Sequence, residues 1–370
     1  MNKKKIALFG GSFDPIHTDH VNIAKTCYEK LGFEEVWFIP AYLNPFKKAQ
    51  LSSIKDRLAM LRIVEEKYDF IRINQYEISN NRPTSTFETL SYIIKHYPDN
   101  DFAFIMGSDQ LDTFEQWSNF NQLIKIMPFK VFLRDEKNFN QEIVKKYALE
   151  TFTFNNNFLS STDIRQLKNL NKQIPKINEY INFHLLYLPE RMGGQMDEAR
   201  YQHSINVGKM AQKLAVKWGA DENKALVAGT LHDIAKCWTR EKNLWYLEHY
   251  LPFLIEEPFP IWHSFTGMLH LEKDWLIKDQ EILQAVFNHT VGSIDMSLLD
   301  KIVFCADKIS LERDYDEVET MRKLCFEDIE QGFIALVKMQ YEQAIKKHGP
   351  NSIGLLLTNT YNYFVKGEKD

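Results

Sequence analysis

The sequence predicts two folds in one chain: an α/β domain with a doubly wound parallel sheet over residues 1–190, and an all-helical domain over residues 196–370. Three observations predict them. Short β-rich runs alternate with amphipathic stretches in the first half. The second half carries helical periods with few strand-like alternations. Between them, 189–195 (PERMGGQ) breaks both patterns with a proline and paired glycines. At 370 residues the chain suits two cores, since single cores rarely grow past about 250–300 residues.

In the first half the expected strands are 6–9, 36–40, 71–75, 102–106 and 130–133, with helices between them at 19–31, 53–67, 85–96 and 116–126. A doubly wound sheet binds its ligand beyond the carboxyl ends of its strands. Gly10, residues 42–47, 107–109 and Arg134 fall at those ends. In the second half Val207, Met210, Ala211, Leu214, Ala215 and Trp218 recur at helical spacing and define one apolar face.

Composition excludes several classes. The chain is 44% hydrophobic and 26% charged with a net charge of −5, which gives no global basic field for nucleic acid. No run approaches the roughly 20 apolar residues of a membrane span. The start, MNKKK, is followed by only a short apolar run before Gly10 and Gly11, unlike a signal peptide. Cys27, Cys237, Cys305 and Cys325 lack the paired spacing of a zinc knuckle or a disulfide framework, so a cytoplasmic setting is expected. A homo-oligomer is left open.

The segment 10–20, GGSFDPIHTDH, follows the first strand and opens the first helix. Glycines there let the backbone approach a ligand, and the amides and dipole of the helix favour an anion beside His17 and His20. Residues 159–165, LSSTDIR, open a later helical pattern with three hydroxyls and an arginine. Alone, each string reads as a turn or a cap. Together they resemble the GGxFDPxHxGH and ISSTxxR elements of nucleotidyltransferases, specifically the bacterial nicotinate-nucleotide adenylyltransferases. NPFK at 44–47, TSTFET at 84–89, and GSD at 107–109 followed by Trp117 fall in the same family order.

That resemblance covers about residues 5–188. It implies a Rossmann-like fold that joins ATP, with Mg²⁺, to nicotinate mononucleotide. It implies catalytic roles for His17, His20, Lys47 and Arg165. Nucleotide contacts would come from Gly10, Gly11, Ser12, Phe13, Thr86, Arg134, Ser160, Ser161 and Thr162, with Gly107, Asp109 and Trp117 at the acceptor end. Asp19 departs from the pattern, which has glycine there, and is expected to weaken ATP binding by adding bulk and negative charge. Nicotinamide mononucleotide as acceptor, or a nucleotide sensor disabled by Asp19, stays open.

In the second half His203, His232, Asp233, His263, His289 and Asp307 mark successive helical stretches. His203 precedes Val207 by one turn on the apolar stripe, and Asp307 follows Val303 by one turn. Buried aspartates are costly unless paired or bound to a cation, and six imidazole and carboxylate groups are enough for two metal ions. The strings RYQHS, LHDIAK and LLDKIVFCAD resemble HD-domain phosphohydrolases of the YqeK type over about residues 196–365. That resemblance implies symmetrical cleavage of a dinucleoside polyphosphate such as diadenosine tetraphosphate by a pair of metal ions, Fe or Mn. His203, His232, Asp233 and Asp307 would hold one ion, and His263 and His289 would complete the second site. Lys236, Thr290 and Arg313 are phosphate candidates.

Overall fold

Six strands line up in parallel in the order β3-β2-β1-β4-β5-β6: β1 (Lys4–Gly11), β2 (Glu35–Pro40), β3 (Ile71–Ile73), β4 (Asn100–Gly107), β5 (Phe129–Phe132) and β6 (Glu150–Phe152). The computed structural model describes residues 3–42 and 52–368. It divides into two units, Met1–Tyr180 and Ile181–Asp370.

The sheet belongs to the first unit. Ile6, Ala7, Leu8 and Phe9 are all buried because helices cover both faces, so the strand reads as a continuous apolar run. The strand order reverses between β1 and β4, and the carboxyl ends there form the crevice where such sheets bind ligands. The third expected strand stops at Ile73, and Gln75 already caps a short helix, Tyr76–Ser79. The sixth strand was not expected, since its three residues bury only Phe152.

The helices that position the site include α1 (Thr18–Lys30), α2 (Ile54–Glu65), α3 (Thr86–His96), α4 (Phe120–Ile126) and α5 (Ser161–Arg165). Ser53, Ser85 and Ser160 cap α2, α3 and α5 by accepting from backbone amides of the first turn. The helix expected from residue 116 begins at Phe120, because Asn119 takes a left-handed conformation (φ 57°) behind a 3₁₀ segment, Ser108–Gln116.

Asp19 corrects an expectation. It is 2% exposed, and its carboxylate faces the segment before α5 rather than solvent. Oδ1 accepts from the backbone N of Asn157 at 2.9 Å and from its Nδ2 at 3.0 Å, while Oδ2 accepts from the N of Leu159 at 2.9 Å. The group expected to weaken ATP binding fastens α1 to the strand-to-helix turn that carries the hydroxyls.

The second unit is helical: α6 (Glu198–Trp218), α7 (Glu222–Leu231), α8 (Trp262–Lys273), α9 (Gln280–Asn288) and α10 (Leu298–Ile309), with further helices after it. Asp197, Asp221, Asp279 and Ser297 cap α6, α7, α9 and α10. Val207, Met210, Ala211, Leu214 and Ala215 are buried as the periodicity requires. The expected seam at 189–195 lies inside this unit, where Pro189 stands in the first turn of the short helix Leu188–Met192 and Gly193 bridges Met196. Arg191 holds that segment in place: it donates to Asn182 Oδ1 at 2.7 Å and lies over the Trp275 ring. Among the described residues no helix is long and apolar enough to cross a membrane.

α6 and α7 meet at glycines. A Cβ on Gly229 would come within 2.9 Å of the Gly208 Cα, and one on Gly208 within 2.1 Å of Thr230 Oγ1. This close approach puts His203 of α6 beside His232, whose ring centroids are 5.2 Å apart.

Two outcomes are expected. Asp19→Ala strands three amide donors and lowers stability by about 1.5–3 kcal/mol, the range for bonds to a charged group; urea denaturation measures it, with earlier proteolysis at 156–158. Gly208→Ala overpacks the α6/α7 contact and costs about 1–3 kcal/mol in the same assay.

Candidate functional sites

In the first unit the site is built on the turn from β1 to α1. His17 sits at the N-cap of α1 and His20 in its first turn, with Nδ1 of His20 accepting from the His17 backbone N at 3.2 Å. The two rings lie 3.7 Å apart, and the His20 ring packs edge-on to Phe13 at 5.1 Å. His17 is buried. Burial, then the nearby Arg134 guanidinium, push its pKa down to about 3 against the opposite pull of Asp163, so the imidazole is neutral at physiological pH.

The second motif is bonded directly onto this turn. Ser161 Oγ donates to Pro15 O at 2.9 Å, Arg165 donates to Asp14 O at 2.8 Å and to Thr162 Oγ1 at 3.2 Å, and Ser160 caps α5 in a box with Asp163. Arg165 is thus buried as a tie between the motifs. Two residues that sequence reading missed do similar work. Arg57, fully buried, donates to Ser12 O and Ala41 O at 2.9 and 2.8 Å, and Gln173 Nε2 donates to Ile16 O at 3.0 Å. No pattern in the sequence marks them, because each reads a main-chain carbonyl far away in the chain.

At the end of β4, a Cβ on Gly107 would come within 2.2 Å of Asp109 Oδ1 and 2.9 Å of the Phe132 ring, so the backbone there runs close under both side chains. Arg134, half-exposed, pairs with Asp109 at 3.4 Å and stands beside His17. Gly10 and Gly11 end β1, and Ser12 and Phe13 are buried behind the turn. Trp117 packs edge-on to Phe104 and Phe114, and Thr86 opens α3 behind the Ser85 cap. Lys47 lies outside the described residues.

The second unit brings all six expected metal ligands together. Asp233 turns Oδ2 toward His232 (3.4 Å) and His203 (3.8 Å), and Oδ1 toward His263 (3.1 Å) and His289 (3.5 Å). Asp307 Oδ1 lies 3.2 Å from His203 Nε2 and 3.6 Å from His232 Nε2. Two groups, His203–His232–Asp307 and His232–Asp233–His289, each bring their ligand atoms within 4.8 Å of one another.

The donor set fits a metal. Ligands about 2.1 Å from an ion stand roughly 3–3.4 Å from one another, and the carboxylate–imidazole separations here run from 3.1 to 3.8 Å. The Nε2 atoms of His203 and His232 are buried and make no hydrogen bond among the described residues. Burial opposes ionisation of both aspartates, yet neighbouring charge prevails: His232 holds Asp233, and Lys308 with His203 and His232 holds Asp307, well below the usual carboxylate range. Burial likewise opposes charge on His232, but Asp233 and Asp307 raise its pKa to about 9. Burial pushes His289 down to about 4 and also lowers His263.

Cationic and hydroxyl side chains surround the cluster. Lys236 Nζ lies 3.3 Å from His263 Nε2, Thr290 Oγ1 3.0 Å from His289 Nε2, and Arg313 donates to Asp307 Oδ1 at 2.7 Å. Arg200, which sequence reading missed, donates to Asp233 Oδ2 at 2.7 Å. Its place one turn before His203 on α6 was the available signal.

Comparison with known proteins agrees with this division. Residues 8–167 match the cytidylyltransferase-like family model and residues 200–312 the HD domain model. A Mycoplasma genitalium protein named "Probable nicotinate-nucleotide adenylyltransferase/Ap4A hydrolase" is 32% identical over 93% of this chain and 99% of its own length. A Mycoplasma pneumoniae protein of the same name is 28% identical over 92% of this chain and 100% of its own. Among solved structures, a "predicted HD superfamily hydrolase involved in NAD metabolism" from Clostridium acetobutylicum is 28% identical, covers 52% of this chain and 97% of that one, and gives a TM-score of 0.44. With near-complete overlap at that identity, the chain belongs to the two-domain nicotinate-nucleotide adenylyltransferase/Ap4A hydrolase family, a cytidylyltransferase-like domain followed by an HD domain.

Proposed function

We propose that the chain is a two-headed enzyme, joining ATP and nicotinate mononucleotide into the deamido dinucleotide in its first unit and hydrolysing a dinucleoside polyphosphate in its second. The observation that carries the first half is the bonding of residues 160–165 onto the turn at 14–17, which gathers a neutral imidazole, hydroxyls and helix amides at the switch point of the sheet. A phosphate oxygen of the mononucleotide attacks the α-phosphorus of ATP in line, the bond to the β-phosphate oxygen breaks, and pyrophosphate leaves. Such transfer depends on positioning and charge neutralisation. His17 and His20 donate to the α-phosphate oxygens, α5 offers the Thr162 hydroxyl and first-turn amides to the outer phosphates, and Arg134 adds positive charge beside His17. Mg²⁺ bound with ATP would neutralise the departing pyrophosphate.

The observation that carries the second half is Asp233, whose two oxygens face different imidazoles and so span two cation positions. His203, His232, Asp233 and Asp307 would hold one ion, with His263 and His289 completing the other, Fe or Mn. Bound metal would lower the pKa of a water toward about 7 and supply hydroxide at phosphorus. Lys236, Arg200 and Arg313 stand where a phosphate chain would need countercharge. Symmetrical cleavage of diadenosine tetraphosphate gives two ADP. The sensor alternative rested on Asp19 obstructing the site, and its carboxylate is committed to residues 157–159.

The full chain with Mg-ATP is expected to release pyrophosphate with nicotinate mononucleotide in preference to nicotinamide mononucleotide, and with Mn²⁺ or Fe²⁺ to turn diadenosine tetraphosphate into ADP alone. His20→Ala lowers the first rate at least 100-fold and spares the second, and His232→Ala does the reverse. ATP plus AMP as products would assign a different cleavage. A further outcome concerns pH. A histidine whose pKa is depressed in the folded state favours folding above its unfolded value, and loses that advantage as pH falls from about 6.5 toward 3. Between pH 8 and pH 5, His17→Asn should therefore gain about 2 kcal/mol relative to the parent in urea midpoints.

A further inference from the structure

Each imidazole of the metal cluster is steered by what its other nitrogen bonds. His232 Nδ1 lies 2.7 Å from Gly229 O, His263 Nδ1 2.9 Å from Pro260 O, and His289 Nδ1 2.6 Å from Val286 O. A carbonyl only accepts, so Nδ1 carries the hydrogen and, in the neutral ring, Nε2 keeps the lone pair that faces the aspartates. His203 differs. Its Nδ1 meets Oε1 of Glu312, a carboxylate outside the ligand set.

Glu312 is itself held on both oxygens. Ser310 Oγ donates to Oε1 at 2.6 Å, and Asn206 Nδ2 donates to Oε2 at 2.8 Å. Asn206 follows His203 on α6 by three residues, so one helix supplies both the ligand and a brace for the group that orients it. Glu312 follows α10 closely, the helix that carries Asp307, and its neighbour Arg313 bonds Asp307.

We propose that Glu312 is the positioning residue of the metal centre: its carboxylate fixes the His203 ring with Nε2 toward Asp307 and makes that nitrogen a stronger donor than a carbonyl-anchored imidazole. This rests on the metal-centre reading of the second unit. A carboxylate partner orients a ligating histidine and raises its basicity, and losing such a partner costs 10- to 100-fold in metal affinity in general.

The test titrates the full-length, chelator-stripped chain with Mn²⁺ alone by calorimetry, and follows the melting temperature with and without the ion. Glu312→Gln keeps the shape and the bond but removes the charge. It is expected to weaken Mn²⁺ binding about 10- to 100-fold, to shrink the metal-induced rise in melting temperature, and to leave the metal-free melting temperature within a degree or two of the parent's. Asn206→Ala, which frees Oε2, gives a smaller loss in the same direction, and Glu312→Asp recovers part of the affinity. Parent-like Mn²⁺ affinity in Glu312→Gln overturns the positioning role while leaving the metal centre standing. A parent chain that binds no Mn²⁺ overturns the centre and this role together.

Discussion

A carboxylate buried away from water must be met by donors or a cation, and in this chain those partners come from distant segments. The constraint organises both units. Asp19 draws residues 157 and 159 onto the first helix, so two motifs far apart in sequence share one crevice. Asp233 gathers Arg200, His263 and His289 around the end of α7, and Asp307 gathers His203 and Arg313. An unpaired carboxylate at any of these places would cost several kcal/mol. The requirement therefore acts as an assembly rule.

The same rule explains the contrast between the two histidine sites. Among the described residues of the first unit no carboxylate bonds His17, so burial and Arg134 leave it uncharged. In the second, two aspartates outweigh burial and raise the pKa of His232 to about 9, so this imidazole sits where the carboxylates call for positive charge. One residue type thus serves two electrostatic purposes, set by the company it keeps.

Much of this was legible from residue patterns, and the misses share a cause. The apolar runs at β1, β2, β4 and β5 and the stripe of Val207, Met210, Ala211 and Leu214 could be read because burial imposes a period. The six candidate metal ligands drew notice because polar groups fell on or beside apolar faces. Strand β6 offered one buried side chain and no period. The partners of Asp19, the amides of Asn157 and Leu159, carry no side-chain signature. Arg57 and Gln173 bond carbonyls in the same silent way, and Glu312 is one acidic residue among many until the fold sets it against His203. Arg191 ties the apparent linker at 189–195 into the core.

The anchoring of the four imidazoles bears on how such a centre can diverge. Gly229, Pro260 and Val286 present their main-chain oxygens whatever side chain stands there, so no point mutation can change the chemical nature of those three anchors. The fourth anchor is encoded as a side chain. Heritable retuning of ligand strength, without dismantling the ligand set, is thereby concentrated at Glu312 and the two side chains that brace it.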